Sequence, residues 1–190
     1  MKTQIAFACF VLFFAQNVAL EYLPQDSGLG NQPAAFVFAD VKYFHRFTKA
    51  DLHEYTPDRQ EDLKRWTDMV TINYYRQAKD GETLAATANR VLENYKANKA
   101  MVFKTDSIPR SKDKPTEHLV VVIFPRPDFI EVAFARFKMH KGLGMSVIYS
   151  HRIYGNKSGN EMSVWLEKNG PTTEMNLMKW NPAPTLPTPK

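Results

Sequence analysis

Arg136, Lys138 and His140 alternate along one stretch of the chain, and Arg152 follows shortly after. A spacing of two places side chains on one face of a β-strand. The first three therefore share a face, and Arg152 joins them if the next strand pairs in the right register. Four potential cations, with Ser146 and Ser150 between them, could receive a carboxylate, a phosphate or an acidic protein surface. The same pattern also suits a solvated outer face, where Lys and Arg block edge pairing, and Phe134 and Ile148 would lie on it too.

Other chemistry-bearing residues are sparser. Thr105-Asp106-Ser107 ends one expected strand and His118 begins the next, so Ser107, Asp106 and His118 could meet across a hairpin. Ser and Asp are equally common as turn formers, and the chain has no G-x-S-x-G elbow. A second possible cluster joins His45 to the adjacent pair His53 and Glu54. The five histidines, His45, His53, His118, His140 and His151, lack the spacing of H-E-x-x-H or of a zinc finger. No metal and no cofactor is expected. Nothing in the spacing of Glu61, Asp62 and Glu131 pairs two carboxylates for glycosidase chemistry. Lys141-Gly142-Leu143-Gly144 precedes a strand, so no helix N-terminus is there to hold a phosphate.

The elements that position these residues follow from periodicity. Residues 35–47, rich in aromatic and β-branched side chains, read as a strand broken near Asp40. Thr56-Pro57 has the form of a helix opening, with a short helix ending by Arg65. Residues 66–75 are a strand. Leu84, Ala88, Val91, Leu92 and Tyr95 recur at helical spacing and predict a helix over 82–97 led by Asp80. Strands are expected over 100–105 and 117–124, the second an unbroken apolar run of the kind buried on both faces.

Residues 129–140 and 145–154 read as a hairpin around Gly142-Leu143-Gly144, a three-residue loop. That loop sets Met139 against Val147, Phe137 against Tyr149, Ala135 against His151 and Ala133 against Ile153. It also places Arg152 with Arg136. A last helix begins at Ser158, with Glu161 at capping-box spacing, and stops at Gly170-Pro171. The expected fold is α+β: an antiparallel sheet of about five or six strands packed by two or three helices as a sandwich. The element order from about Ala35 to Gly170 is similar to that of small exported α+β accessory domains of the PsbP type. The similarity is one of order and length, and no site or function follows from it.

Address and composition complete the reading. Residues 1–19 resemble a cleavable signal peptide: Lys2, an apolar run from Ile5 to Ala15, then Gln16-Asn17-Val18-Ala19. That run is too short for a permanent membrane span. Residues 20–33 are expected to be a flexible leader, 34–180 a single domain and 181–190 a disordered Pro-rich tail. Cys9 is the only cysteine and would leave with the signal, so the mature chain would hold no disulfide and no cysteine nucleophile. Without Lys2, 24 Lys and Arg stand against 20 Asp and Glu, a net charge of +4. That is too weak for a nucleic-acid binder.

The reading is a periplasmic or secreted, non-enzymatic globular domain that binds an anionic or protein partner, as an accessory, inhibitor or immunity-type protein. The alternatives are a small hydrolase, or a carrier of an anionic ligand, with a site assembled only in three dimensions.

Overall fold

A computed structural model describes residues 34–109, 111–112 and 115–181. The expected signal peptide, the leader and the tail from residue 182 onward lie outside these described residues, as does most of the charge in the loop after Pro109.

Four strands form a meander: β1 (Phe36–Phe38), β2 (Val41–Lys49), β3 (Leu52–Pro57) and β4 (Asp68–Tyr75). The expected break near Asp40 is a tight turn in which Ala39 and Asp40 both take positive φ, 48° and 63°. Helix α1 (Gly81–Ala97) then carries the chain to the far edge of the sheet. Its 17 residues span about 25 Å, enough to cross the intervening strands at about 4.8 Å each. Asp80 and Thr83 cap it reciprocally, the Asp80 side chain accepting from the Thr83 N–H at 2.8 Å.

Strands β5 (Met101–Ile108), β6 (Glu117–Pro125), β7 (Phe129–His140) and β8 (Leu143–Tyr154) meander back until β8 pairs with β4. The result is one antiparallel sheet of eight strands, ordered β1-β2-β3-β4-β8-β7-β6-β5. The architecture is α+β, with a sheet larger than expected and two helices, the second being α2 (Ser158–Lys179).

The helices lie on opposite faces. Helix α2 packs on β7 and β8, where Met162, Leu166 and Leu177 meet Val132, Phe134, Val147 and Tyr149 in the main core. Helix α1 packs on β6 and β7, with Tyr95 edge-on to Phe124. This explains the unbroken apolar run of β6, whose Leu119, Val120, Val121 and Val122 are all buried, alternately against each helix.

Two local expectations are corrected. Thr56-Pro57 opens no helix and closes β3 instead. Thr56 is fully buried, its hydroxyl donates to the Gln60 carbonyl, and it accepts from Arg46 Nε at 2.9 Å. Pro171 does not stop α2, which runs eight residues beyond it to Lys179. A proline inside a helix removes one backbone hydrogen bond. The continuation buries Leu177, packs Met178 and Trp180 against the core, and offers its last carbonyls to Arg136. The burial outweighs the lost bond.

Candidate functional site

The β7–β8 hairpin decides where the expected cation set falls. Its turn has two residues, Lys141 and Gly142, both with positive φ (49° and 77°). The register sets Met139 against Gly144, Phe137 against Ser146, Ala135 against Ile148 and Ala133 against Ser150. That is an odd shift from the three-residue-loop register, so every β8 side chain changes face. Arg136, Lys138 and His140 lie on the α2 face, and Arg152 lies on the α1 face opposite Glu131.

Arg136 is 3% exposed, and four of its hydrogen bonds have partners within the protein. Its Nε and one Nη donate to the two carboxylate oxygens of Glu117, at 2.7 and 2.8 Å, and the other Nη donates to the carbonyls of Leu177 and Trp180. Lys138 donates to the Asn181 side chain, and burial followed by the Arg136 charge lowers its pKa. His140 lies beside Tyr74, with ring centres 6.4 Å apart. Arg136 and Lys138 fasten the C-terminal end of α2 and the residues after it to the sheet, while His140 packs within the sheet.

Ser107 and His118 do meet. Ser107 Oγ lies 2.8 Å from His118 Nδ1, but the opposite ring nitrogen is buried without a hydrogen-bond partner. Asp106 projects to the other face, where it lines a small cleft with Leu119, Glu174 and Met178. His45 and His53 meet as well, through one hydroxyl: Thr48 Oγ1 lies 2.7 Å from His45 Nε2 and 2.9 Å from His53 Nδ1. A hydroxyl has one proton to donate, so one ring accepts it and the other supplies its own N–H. Glu54 points to the opposite face of the sheet, away from both rings. Glu61 pairs with Arg46 and Asp62 caps a turn at the Lys64 N–H, so Glu61, Asp62 and Glu131 each have separate duties. Among the described residues no group of three or more His, Cys, Asp or Glu is placed to hold a metal ion, and no helix is long and apolar enough to cross a membrane.

Three arrangements were not visible in the sequence. The first is an Asp–His pair: Asp68 Oδ1 accepts from Tyr149 Oη at 2.7 Å and pairs with His151 Nδ1 at 2.9 Å, while Trp165 stacks on the imidazole at 4.2 Å. Burial would raise the Asp68 pKa, but these hydrogen bonds outweigh it and hold the carboxyl below its ordinary range. The second is the cluster of Glu54, Glu131 and Arg152 on the α1 face. The third is a groove of about 440 Å³ between β5 and α2, lined by Phe103, Val121, Phe134, Leu166, Met175 and Met178. A bulge between Val102 and Lys104 inserts Phe103 as the extra residue and brings it to the groove. The Lys104–Glu174 ion pair, 2.7 Å, sits in its wall. Strand β5 is the sheet's edge, and Met101, Val102, Phe103 and Ile108 on it are exposed, as is Met175 across the groove. In the sequence, only the charges of Lys104 and Asp106 bear on the edge position of β5.

A protein-family model matches residues 31–180, which includes every strand and both helices. No curated protein matches the chain. Among solved structures there is partial likeness to the Ran-binding protein Mog1p of Saccharomyces cerevisiae, at 10% identity over 72% of this chain and 83% of that one, with a TM-score of 0.43. Human STARD10 gives 9% identity over 73% and 74%, with a TM-score of 0.30. A STAR-related lipid transfer protein of Xanthomonas axonopodis gives 8% identity over 72% and 94%, with a TM-score of 0.29. Likeness at this level carries no functional argument.

Proposed function

The chain belongs to the family matched over residues 31–180, and we propose that it is an exported, non-enzymatic domain that binds another protein through the groove between β5 and α2. The observation behind this reading is the apolar character of that groove together with its exposed rim. Phe103 is 60% exposed, Met101 55% and Met175 47%. Large apolar side chains gathered beside a groove mark interaction surfaces more often than isolated ones do. An apolar or aromatic anchor from the partner would fill the groove between Phe103 and Met175, with Lys104 and Glu174 supplying a polar rim. The bulge at Phe103 and the charges of Lys104 and Asp106 blunt β5 against simple strand addition, so recognition rests on the anchor.

The test places a photoreactive phenylalanine analogue at position 103, and a control analogue at Val164, which is 64% exposed on α2 but outside the groove. Both chains are expressed in the producing cell, and the envelope fraction and culture medium are analysed. A single protein crosslinked from position 103, absent from position 164 and lost on Met175→Glu, supports the reading. Equal labelling from both positions, or recovery of the chain only from the cytoplasm, refutes it.

A second reading, a small hydrolase, has one observation in its favour, the Ser107–His118 hydrogen bond. Its test is argued in the Discussion.

A further inference from the structure

We propose that Glu54, Glu131 and Arg152, on the α1 face of the sheet, form a binding site for a free amino acid. The site is on the opposite side of the sheet from the groove and stands independently of it.

The starting point is a contrast between two buried ion pairs in one molecule. Arg136 and Glu117 engage both carboxylate oxygens, and the guanidinium then adds two carbonyls. Arg152 and Glu131 make one bond, Nε to Oε2 at 2.7 Å. Glu131 is 1% exposed, yet its Oε1 is buried with no hydrogen-bond partner. Among the described residues the Nη groups of Arg152 have none either. Leaving a buried oxygen such as Glu131 Oε1 unpaired costs about 1–3 kcal/mol, more when charged. A buried polar atom left unpaired in this way calls for a partner.

The geometry fixes what that partner must offer. The Arg152 guanidinium is sandwiched between Trp66 and Phe129, 3.7 and 4.4 Å from their ring centres, so its plane cannot turn. Its Nε is engaged by Glu131, which leaves the Nη pair as a fixed fork. Such a fork matches a carboxylate. Glu54, with no hydrogen-bond partner among the described residues, lies within electrostatic reach of both Arg152 and Glu131. It stands opposite Thr71, and Ser150 shares the face two residues from Arg152, so two hydroxyls line the same surface.

The unpaired groups are therefore one cationic fork, the buried Glu131 Oε1, the two Glu54 carboxylate oxygens and two hydroxyls. A carboxylate alone would meet Glu54 and Glu131 as like charges, and an amine alone would leave the fork unmatched. A molecule with an ammonium beside a carboxylate answers both. Glu54 and Arg152 remain half-buried while Glu131 is buried, which sets the approach from their side.

The experiment is calorimetric titration of the full mature chain with each of the common amino acids, with propionate and ethylamine as single-group probes. The expected result is saturable binding of at least one amino acid, with propionate and ethylamine weaker by about tenfold or more. Glu54→Gln and Arg152→Lys should each weaken that binding by about tenfold. Glu54→Gln also separates binding from folding. Burial, with Glu131 adding to it and Arg152 opposing, raises the Glu54 pKa. Its charged form therefore opposes folding above its ordinary pKa, and the amide should melt no lower than the parent while binding is lost. A purely structural Glu54 would not produce that combination. No saturable binding of any amino acid up to about 10 mM, equal binding of a single-group probe, or full retention in Glu54→Gln overturns the proposal.

Discussion

Arg136 and Glu117 form a two-bond ion pair that also terminates a helix: the guanidinium that grips the Glu117 carboxylate donates to the carbonyls of Leu177 and Trp180. The last four carbonyls of a helix lack partners within it. Here a side chain from the sheet donates to one of them, Leu177, and to the capping residue Trp180, which couples the seating of α2 to the β6–β7 ladder.

Removing that guanidinium should be among the most damaging single changes away from the apolar core. Arg136→Ala leaves Glu117 unpaired, takes the guanidinium donor from the Trp180 carbonyl, and leaves the Leu177 carbonyl with only the Trp180 N–H, a loss of about 3–5 kcal/mol. Lys138→Ala removes only a half-exposed contact to Asn181 and should cost about 1 kcal/mol or less. Urea unfolding of both variants measures the difference, and comparable midpoints would show that the clamp is dispensable.

The hydroxyl-bridged histidines give the molecule an acid-sensitive corner. His45, His53, His118 and His140 all have pKa values below the ordinary 6.5, chiefly through burial, with the neighbouring His45 charge adding at His53 and Lys141 and Lys138 adding at His140. The unfolded chain takes up these protons near pH 6.5 and the folded chain resists. Stability should therefore be level above that pH and fall as the pH drops through it, levelling again only below the folded pKa values. Asp68, whose pKa is lowered, loses its contribution only at still lower pH. The melting temperature should drop between about pH 7.5 and pH 5.5, and less so in a His45→Asn, His53→Asn double variant. Parallel curves for the two proteins would remove the bridged pair from the account.

How much of this was legible depends on whether a signal was local. The turn at Ala39 and Asp40, the Asp80 cap and the apolar stripe of α1 could be read from short windows, because backbone sterics and 3.6-residue periodicity act over a few residues. The hairpin failed at one point. Gly142-Leu143-Gly144 admits both a three-residue and a two-residue loop, and the choice between them reverses the face of Arg152. Thr56-Pro57 has helix-opening chemistry, but strand pairing with β2 and the contacts of Thr56 with Arg46 and Gln60 override it. The groove and the Glu54–Arg152–Glu131 cluster join residues far apart in sequence, and no local pattern encodes them. The Ser107–His118 contact was legible because a hairpin joins its partners.

That contact should not make a serine nucleophile. An activating histidine takes the serine proton at one nitrogen while a carboxylate orients the other. Here the second nitrogen of His118 has no hydrogen-bond partner, and Asp106 is on the far face of β5. A fluorophosphonate probe should leave the chain unlabelled, and Ser107→Ala should match the parent in that assay. Stoichiometric labelling lost in Ser107→Ala would restore the hydrolase reading.

Gly142 in the β7–β8 turn and Gly144 just after it are required for different reasons, and this gives a direct check on the register. Gly142 has φ of +77° with open space around the position of a Cβ, so Gly142→Ala meets only backbone strain, about 1 kcal/mol. Gly144 lies within the strand, donates to the Ala78 carbonyl at 2.7 Å, and faces the start of α1. A Cβ there would lie 2.5 Å from the Ala78 Cβ and 3.3 Å from Leu84 Cδ1. Ala78 and Leu84 are both fully buried, so neither can withdraw without moving α1. Gly144→Ala should then cost about 1–3 kcal/mol or more through overpacking. The three-residue loop would put the left-handed residue at Gly144 and reverse the expected order. Thermal melts of the two variants decide between the loops: Gly144→Ala melting well below Gly142→Ala fits the observed register, and the opposite order would return Arg152 to the face of Arg136.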